Sequence, residues 1–281
     1  MQRNTKTDRR IRADMHMHTT ASDGTWSVEL LLKKLVEAGI EVFSVTDHDT
    51  VENIPELIEK TNRINIKYIP GVEVNSALEG FSYHILGYGI DYQNKELNSL
   101  LQFNIKCLED FDSECISLLE SKHGHVKASD FHAYEDNRER GGWKALNFLK
   151  DMGMCKDHRE FFKLFVDDSY IFSKLCFKHP KEAIDTIVKA GGVPVLAHPG
   201  AAFYSRDYGS VLNNMLEYGI RGIECYHPEN SSEITDYCLK LCKEKDLLIT
   251  GGSDCHGDFL PARKLCLPEL YLDMLDLKEL L

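Results

Sequence analysis

Hydrophobic and polar positions switch repeatedly between two periods along this chain. Residues 11–18 alternate apolar and polar, as on a half-buried strand. Val28, Leu31, Leu32, Leu35 and Val36 then recur at helical spacing, and Gly39 supplies a C-terminal stop, so a helix is predicted over 28–38. Short apolar runs predict strands at 42–46, 68–74 and 83–88, with a helix over 53–62 after the first. The alternation resumes near residue 181. A helix over 181–190 aligns Ile184, Ile187 and Val188 and stops at Gly191-Gly192; a strand follows at 193–197. Helices over 208–218 and 232–244 then alternate with strands at 222–226 and 247–250, and a terminal helix is predicted over 270–280. Strands separated by helices of this length imply parallel βα units.

The stretch from about 94 to 172 reads differently, because its periodicity is almost entirely helical. Leu97, Leu100, Leu101, Leu108, Phe111, Cys115, Leu118 and Leu119 form one long stripe, which is expected to pack as core. The region also carries His123, His125, His132, His158 and Trp143. It is expected to be a helical insertion into an α/β barrel. No internal repeat or low-complexity segment is evident.

The polar residues at the ends of the predicted strands carry the chemistry. Asp14-Met15-His16-Met17-His18 places a carboxylate and two imidazoles on one face of a strand, with Ser22-Asp23-Gly24 close behind. Taken alone, this stretch also suits a partly buried strand with two satisfied histidines. The same chemistry recurs in Thr46-Asp47-His48-Asp49, Gly71-Val72-Glu73, Ala197-His198-Pro199 and Gly252-Ser253-Asp254-Cys255-His256. In a parallel barrel the C-terminal strand ends converge on one face, so residues distant in sequence can form one cluster. His16, His18, Asp23, His48, Glu73, His84, His198, Asp254 and His256 are too many ligands for one ion, and suit two or three ions bridged by a carboxylate.

Composition narrows the partners. The 281-residue chain has a formal net charge of −12, which argues against a broad nucleic-acid surface. It does not exclude a small anionic substrate, since bound cations can reverse the local field. The nine cysteines include no Cys-x-x-Cys pair and indicate neither a disulfide framework nor a zinc knuckle. No apolar run is long enough to span a bilayer, and the polar, basic residues 1–12 lack an apolar segment behind them. A cytoplasmic protein is expected, with no membrane partner.

The ordered motifs resemble those of the PHP (polymerase and histidinol phosphatase) family of metal-dependent phosphoesterases. They are DMHMHTTASDGTWS at 14–27, VFSVTDHDTVEN at 42–53, PGVEVNS at 70–76, YHILGYGID at 83–91, AGGVPVLAHPG at 190–200, GIECYHP at 222–228 and GGSDCHGD at 251–258. The likeness covers 10–100 and 178–258, and is greatest to the branch acting on nucleoside phosphates and RNA 5′ ends. It implies an α/β fold, a distorted (β/α)7 TIM-like barrel with an inserted helical subdomain. The barrel would span 10–100 and 176–281, and the insertion, 101–175, would recognise substrate.

The resemblance further implies two to three divalent ions, manganese, iron or zinc. His16, His18, Glu73 and Asp254 would hold the first; Glu73 would bridge to a second held by His84 and His198; Asp23, His48 and His256 would hold the third. Asp23, His48, His198 and His256 are also expected to take part in catalysis. Asp14 and Asp47 would orient neighbouring imidazoles, and His227 would line the site. The implied reaction is attack of a metal-bound hydroxide on a phosphate monoester. No protein nucleophile is evident. The expected substrate is a small nucleotide-like molecule, either a nucleoside 3′,5′-bisphosphate or a nucleoside monophosphate, with no stable nucleic-acid complex.

Members of that branch often carry an Arg-x-x-Arg element on the long helix and a later Gly-Arg-Pro-His-like element. Here these regions read Leu101-Gln102-Phe103-Asn104-Ile105-Lys106 and Arg140-Gly141-Gly142-Trp143-Lys144. Lys106, Arg138, Arg140 and Lys144 are the candidate substitute phosphate contacts, and Trp143 either stacks on a base or packs. Alternative readings are a 5′→3′ exonuclease on short RNA, a histidinol-phosphatase-like activity, a metallohydrolase of C–N or C–O bonds, and a catalytically silent metal-binding module. The C–N/C–O reading lacks a candidate carboxylated-lysine bridge, and the silent module conflicts with a ligand set in which every position is filled.

Overall fold

The computed structural model describes residues 9–64, 66–204 and 207–281; the basic stretch 1–8 lies outside them. The fold is mixed α/β. A first sheet joins β1 (Arg12–Asp14), β2 (Ile40–Phe43) and β3 (Lys67–Tyr68), all parallel. A second sheet has the order β4 (Gly71–Leu78), β5 (Phe81–Tyr88), β6 (Val193–Leu196), β7 (Gly222–Tyr226) and β8 (Leu248–Gly251). Helix α1 (Val28–Ala38) links β1 to β2, and α2 (Ile54–Thr61) links β2 to β3. Ser27 caps α1 by accepting from the Leu30 amide, and Gly39 ends it in the left-handed conformation that a glycine adopts without steric cost.

Two predicted features change. The strand expected over 68–74 is interrupted at Ile69-Pro70, because Pro70 has no N–H to continue a ladder, and its halves join different sheets. β5 runs antiparallel to both β4 and β6, so the sheet is not wholly parallel. A two-residue turn, Glu79-Gly80 with φ of 52° and 84°, makes β4–β5 a tight hairpin. The backbone ladders do not close into one ring. Single parallel bridges, His48–Glu73 and Met17–Cys255, join the two sheets at their edges.

The last predicted helix also fails to form. Residues 270–280 hold short 3-10 turns at Leu272–Met274 and Lys278–Leu280, with antiparallel bridges from Tyr271 to Arg12 and from Asp276 to Ile249. Pairing to β1 and β8 and packing of Leu270, Leu272, Leu275, Leu277 and Leu280 outweigh the weak helical pattern.

Between β5 and α7 (Pro180–Lys189) come α3 (Lys95–Lys122), α4 (Ala128–Ala133), α5 (Lys144–Asp151) and α6 (His158–Lys163), with 3-10 segments at Arg138–Arg140 and Val166–Lys174. The predicted α3 stripe is real but serves two cores. Leu97, Leu100 and Leu101 pack with β4, β5 and α7, whereas Phe111, Cys115 and Leu119 join Phe131, Phe148, Phe161 and Phe165 in a helical core. At 28 residues, α3 reaches about 42 Å, long enough to connect both. Helices α8 (Tyr208–Tyr218) and α9 (Ser232–Lys245) complete the second half. Among the described residues, no helix is long and apolar enough to cross a membrane.

Phe111, 3% exposed, tests the helical core. Phe111→Ala should lower the unfolding free energy by about 3–5 kcal/mol, read from the denaturant midpoint. A loss below about 1 kcal/mol would mean that this cluster is not packed as described.

Candidate metal centre

His16, His18, His48, His198 and His256 follow the C-terminal ends of β1, β2, β6 and β8, held there by backbone pairing that continues past the regular ladders, whereas His84 lies within antiparallel β5 and Glu73 near the start of β4. β1 ends at Asp14, yet residues 14–18 stay bonded on both sides. The Asp14 and Met17 carbonyls accept from the Ser44 and Thr46 amides, and the Met15 and His18 amides donate to the Gly251 and Cys255 carbonyls. The Asp254 amide donates to the His16 carbonyl at 2.8 Å. Gly252 makes this approach possible, since a Cβ there would lie 2.5 Å from the His16 nitrogen. The Asp49 amide donates to the Glu73 carbonyl, and the Glu73 amide to that of Asp47, which fixes the His48 turn against β4.

Glu73 is fully buried at the centre. Its Oε1 lies 3.0 Å from His84 Nδ1 and 3.0 Å from His198 Nε2. Its Oε2 lies 3.0 Å from His16 Nε2, 3.2 Å from His18 Nε2 and 3.4 Å from His48 Nδ1. Asp254 Oδ1 stands 3.1 Å from His18 Nε2, 3.4 Å from His16 Nε2 and 3.5 Å from His256 Nδ1. Asp23 Oδ2 is 3.3 Å from His256 Nε2, whose ring stacks on that of His18 at 4.0 Å.

These residues resolve into overlapping groups whose ligand atoms lie within 4.8 Å of one another. His16, His18, Glu73 and Asp254 form one; His18, Asp23, His48 and His256 another; His48, Glu73 and His84 a third, with His198 on the same Glu73 oxygen. The spacing fits cations. Ligands about 2.1 Å from a shared ion stand roughly 3.0–3.4 Å apart. Several buried atoms, His18 Nδ1 and Nε2, His48 Nδ1, His198 Nδ1 and Asp254 Oδ1, have no aligned hydrogen-bond partner among the described residues. Such atoms would be costly in a purely structural polar cluster.

The electrostatics agree. Burial opposes a charge on His18, but the Asp254 and Glu73 carboxylates beside it outweigh burial and push its pKa up to about 10. Burial likewise opposes ionisation of Glu73 and Asp254, yet the His16 imidazole beside each holds its carboxyl well below the usual range. Burial brings His198 down to about 4, so its ring is neutral near pH 7. The metal-free centre thus carries ionised carboxylates with protons on selected imidazoles.

Glu224 escaped the sequence reading. It is fully buried on β7, accepts from the His198 amide at 2.8 Å, and places Oε1 2.9 Å from His16 Nδ1. With Nδ1 held there, His16 turns Nε2 toward Glu73 and Asp254, as metal-binding imidazoles commonly require. The expected orienting carboxylates do something else. Asp14 accepts from the Ser253 amide at 2.9 Å, and Asp47 from the Thr19 amide, the Thr19 hydroxyl and the Ser22 hydroxyl, each at 2.7 Å. They shape the loops that carry the histidines and touch no imidazole. The signal for Glu224 was the glutamate inside GIECYHP, at the centre of the expected strand 222–226 and far in sequence from its partners.

His227 does reach the cluster: it is buried, with Nε2 3.1 Å from Asp254 Oδ2. The four candidate cations of the helical region pair elsewhere. Lys106 binds Asp110 on an exposed face; it lies two residues from Asn104, which turns inward to Asp49, and two helical steps of about 100° put it on the far side. Arg138 pairs with Glu52, Arg140 with Asp151 and Tyr134, and the Lys144 ammonium lies 4.9 Å over the Phe131 ring. Trp143 packs edge-on to Phe161 at 5.2 Å, as core. The Gly141-Gly142 link matters more. The Gly142 amide donates to the Asp23 carbonyl at 2.8 Å, which ties the helical region to the Asp23 loop.

The PHP domain family model matches residues 14–152. The chain is 30% identical to a 5′-3′ exoribonuclease Rnm of Salmonella typhimurium, over 86% of this chain and 84% of the relative. It is 28% identical to a phosphoribosyl 1,2-cyclic phosphate 1,2-diphosphodiesterase of Eggerthella lenta, over 88% of this chain and 94% of that one. A 3′,5′-nucleoside bisphosphate phosphatase of Chromobacterium violaceum is 24% identical, over 87% of each chain. A Bifidobacterium adolescentis structure, provisionally described as a metal-dependent phosphoesterase, superposes with a TM-score of 0.71 at 26% identity over 89% of each chain. The chain belongs to the PHP domain family.

Protons and metal should compete for His18 Nε2. Metal uptake should release protons, and apparent affinity should rise from about pH 6 to about pH 8. Calorimetry in buffers of different ionisation enthalpy measures both. Affinity that is flat or falls with pH would contradict the ligand assignment.

Proposed function

We propose that this chain is a metal-dependent phosphoesterase that hydrolyses a phosphate monoester of a small nucleotide-like substrate, either a nucleoside 3′,5′-bisphosphate or a nucleoside monophosphate. The observation that carries the reading is one buried carboxylate, Glu73, within 3.4 Å of five imidazoles contributed by four stretches of the chain. We infer that the two sheets are arcs of one distorted barrel, bridged at His48–Glu73 and Met17–Cys255. The barrel spans 10–100 and 176–281, and 101–175 is an inserted subdomain that selects substrate.

Two or three divalent ions, when bound, lower the pKa of a coordinated water and neutralise charge on the phosphoryl oxygens. His16, His18, Glu73 and Asp254 would hold one position, Glu73 with His84 and His198 a second, and Asp23, His48 and His256 a third. Histidine and carboxylate donors suit manganese, iron or zinc. Glu224 fixes His16. Asp23, His48, His198 and His256 would take part in catalysis, His198 with a ring that is neutral near pH 7.

A second reading, removal of nucleotides from an RNA 5′ end, is favoured by the likeness to the Salmonella exoribonuclease. The −12 charge disfavours long polymers but admits a short end.

Phosphate release by the manganese-loaded protein distinguishes these. The panel holds adenosine 3′,5′-bisphosphate, 5′-AMP, histidinol phosphate, a ribose cyclic phosphate and a 5′-phosphorylated RNA trimer. The bisphosphate or 5′-AMP should be preferred. Stepwise shortening of the trimer would establish the exonuclease instead, and no turnover by the metal-loaded protein would contradict both. His18→Ala or Asp254→Asn should lower kcat by at least about 100-fold with the fold retained by circular dichroism. Wild-type rates in either variant would refute the site.

A further inference from the structure

The candidate phosphate-binding cations of the helical region are paired elsewhere. The arginine that does reach the cluster follows β8. Arg263 lies in a turn closed by its own amide donating to the Leu260 carbonyl, and its side chain is 17% exposed. Nη1 donates to Asp254 Oδ2, and Nη2 donates to Glu229 Oε1 at 2.6 Å. His227 Nε2 approaches the same Asp254 oxygen at 3.1 Å, and its Nδ1 accepts from the Glu229 amide at 3.1 Å. Among the described residues, no lysine and no other arginine pairs with Asp23, Glu73, Glu224 or Asp254.

The two oxygens of Asp254 are therefore unlike. Oδ2 is occupied by the guanidinium and by His227. Oδ1 faces His16, His18 and His256 at 3.1–3.5 Å with no aligned hydrogen-bond partner. Asp254 itself sits at φ 51°, a sparsely populated conformation for a residue with a Cβ, held by its amide on the His16 carbonyl.

We propose that Arg263 is a positioning residue of the metal centre: its fork spans Asp254 and Glu229, takes Oδ2 out of play, and aims Oδ1 at the ion shared with His16, His18 and Glu73. Charge alone argues the other way. A guanidinium beside a cation site repels the ion, so the contribution that favours binding is orientation. Orientation needs the planar, two-armed guanidinium; a lysine in its place keeps the charge but cannot bridge two carboxylates in fixed geometry. Glu229 supplies the second anchor and offsets the excess positive charge.

The proposal rests on the metal-centre reading, and its test separates the two. Manganese binding to the full chain is followed by calorimetry at constant pH, with circular dichroism to confirm folding. Wild type should show a class of sites lost or weakened in Arg263→Lys and Arg263→Met alike, by about 10–100-fold, as for other partners that orient metal ligands. The class that includes Asp23, His48 and His256 should keep its affinity. Glu229→Gln leaves Arg263 in place and should shift affinity in the same direction by less, which also serves if Arg263→Met does not fold. Wild-type affinity in Arg263→Lys together with tighter binding in Arg263→Met would mean that Arg263 acts only through its charge, and would overturn the proposal. Absence of manganese binding by the wild type would overturn the metal centre itself.

Discussion

One fully buried carboxylate organises this molecule. An ionised glutamate removed from water is tolerated only if positive or donor groups surround it. Glu73 meets that demand with the rings of His16, His18, His48, His84 and His198. Those rings repel one another when protonated, and leave nitrogens without partners when neutral. Neither state is comfortable for so many imidazoles around four carboxylates, Asp23, Glu73, Glu224 and Asp254. A set of divalent cations relieves both problems, because it replaces mobile protons with fixed charge and uses the unpaired nitrogens and oxygens.

The rest of the fold is arranged to permit that convergence. The segment 14–18 is sandwiched between the chains leaving β2 and β8, so His16 and His18 are fixed by main-chain bonds on both sides. Gly252 lets the Asp254 chain come within contact of His16. The hairpin β4–β5 brings Glu73, opposite Leu86, and His84, opposite Asn75, to diagonal positions on adjacent strands; a parallel crossover would have separated them by a helix. Helix α3 then carries the fold outward, and its Asn104 returns a hydrogen bond at 2.8 Å to Asp49 beside His48. Together with the Gly142–Asp23 contact, this ties the helical region to two of the loops that hold metal-ligand candidates.

Much of the cluster was legible because its candidate ligands are local events repeated. A histidine or carboxylate just past an apolar run is visible in the sequence, and nine such residues meet in space. Residues whose role depends on a distant partner were not legible. Glu224 reads as an ordinary strand residue until His16, 208 positions away, is seen against it. Arg263 follows the last motif and looks like a surface charge. Asp14 and Asp47 were expected beside imidazoles because they lie close to them in sequence, but each carboxylate accepts from a backbone amide instead, Asp14 from Ser253 and Asp47 from Thr19. Lys106 shows the same limit on a helix, where proximity in sequence to an inward-facing residue places it on the outward face. The hairpin was missed because strand spacing alone does not distinguish a tight turn from the start of a crossover.

The central claim is that Glu73 is shared between bound cations. The most direct test is to grow crystals with manganese and locate the ions by anomalous scattering. Two or three peaks within bonding distance of His16, His18, Asp23, His48, His84, His198, Asp254 and His256, with Glu73 touching at least two, is the result this account predicts. Peaks that leave Glu73 untouched, or a fully loaded crystal with no ion in the cluster, would contradict it.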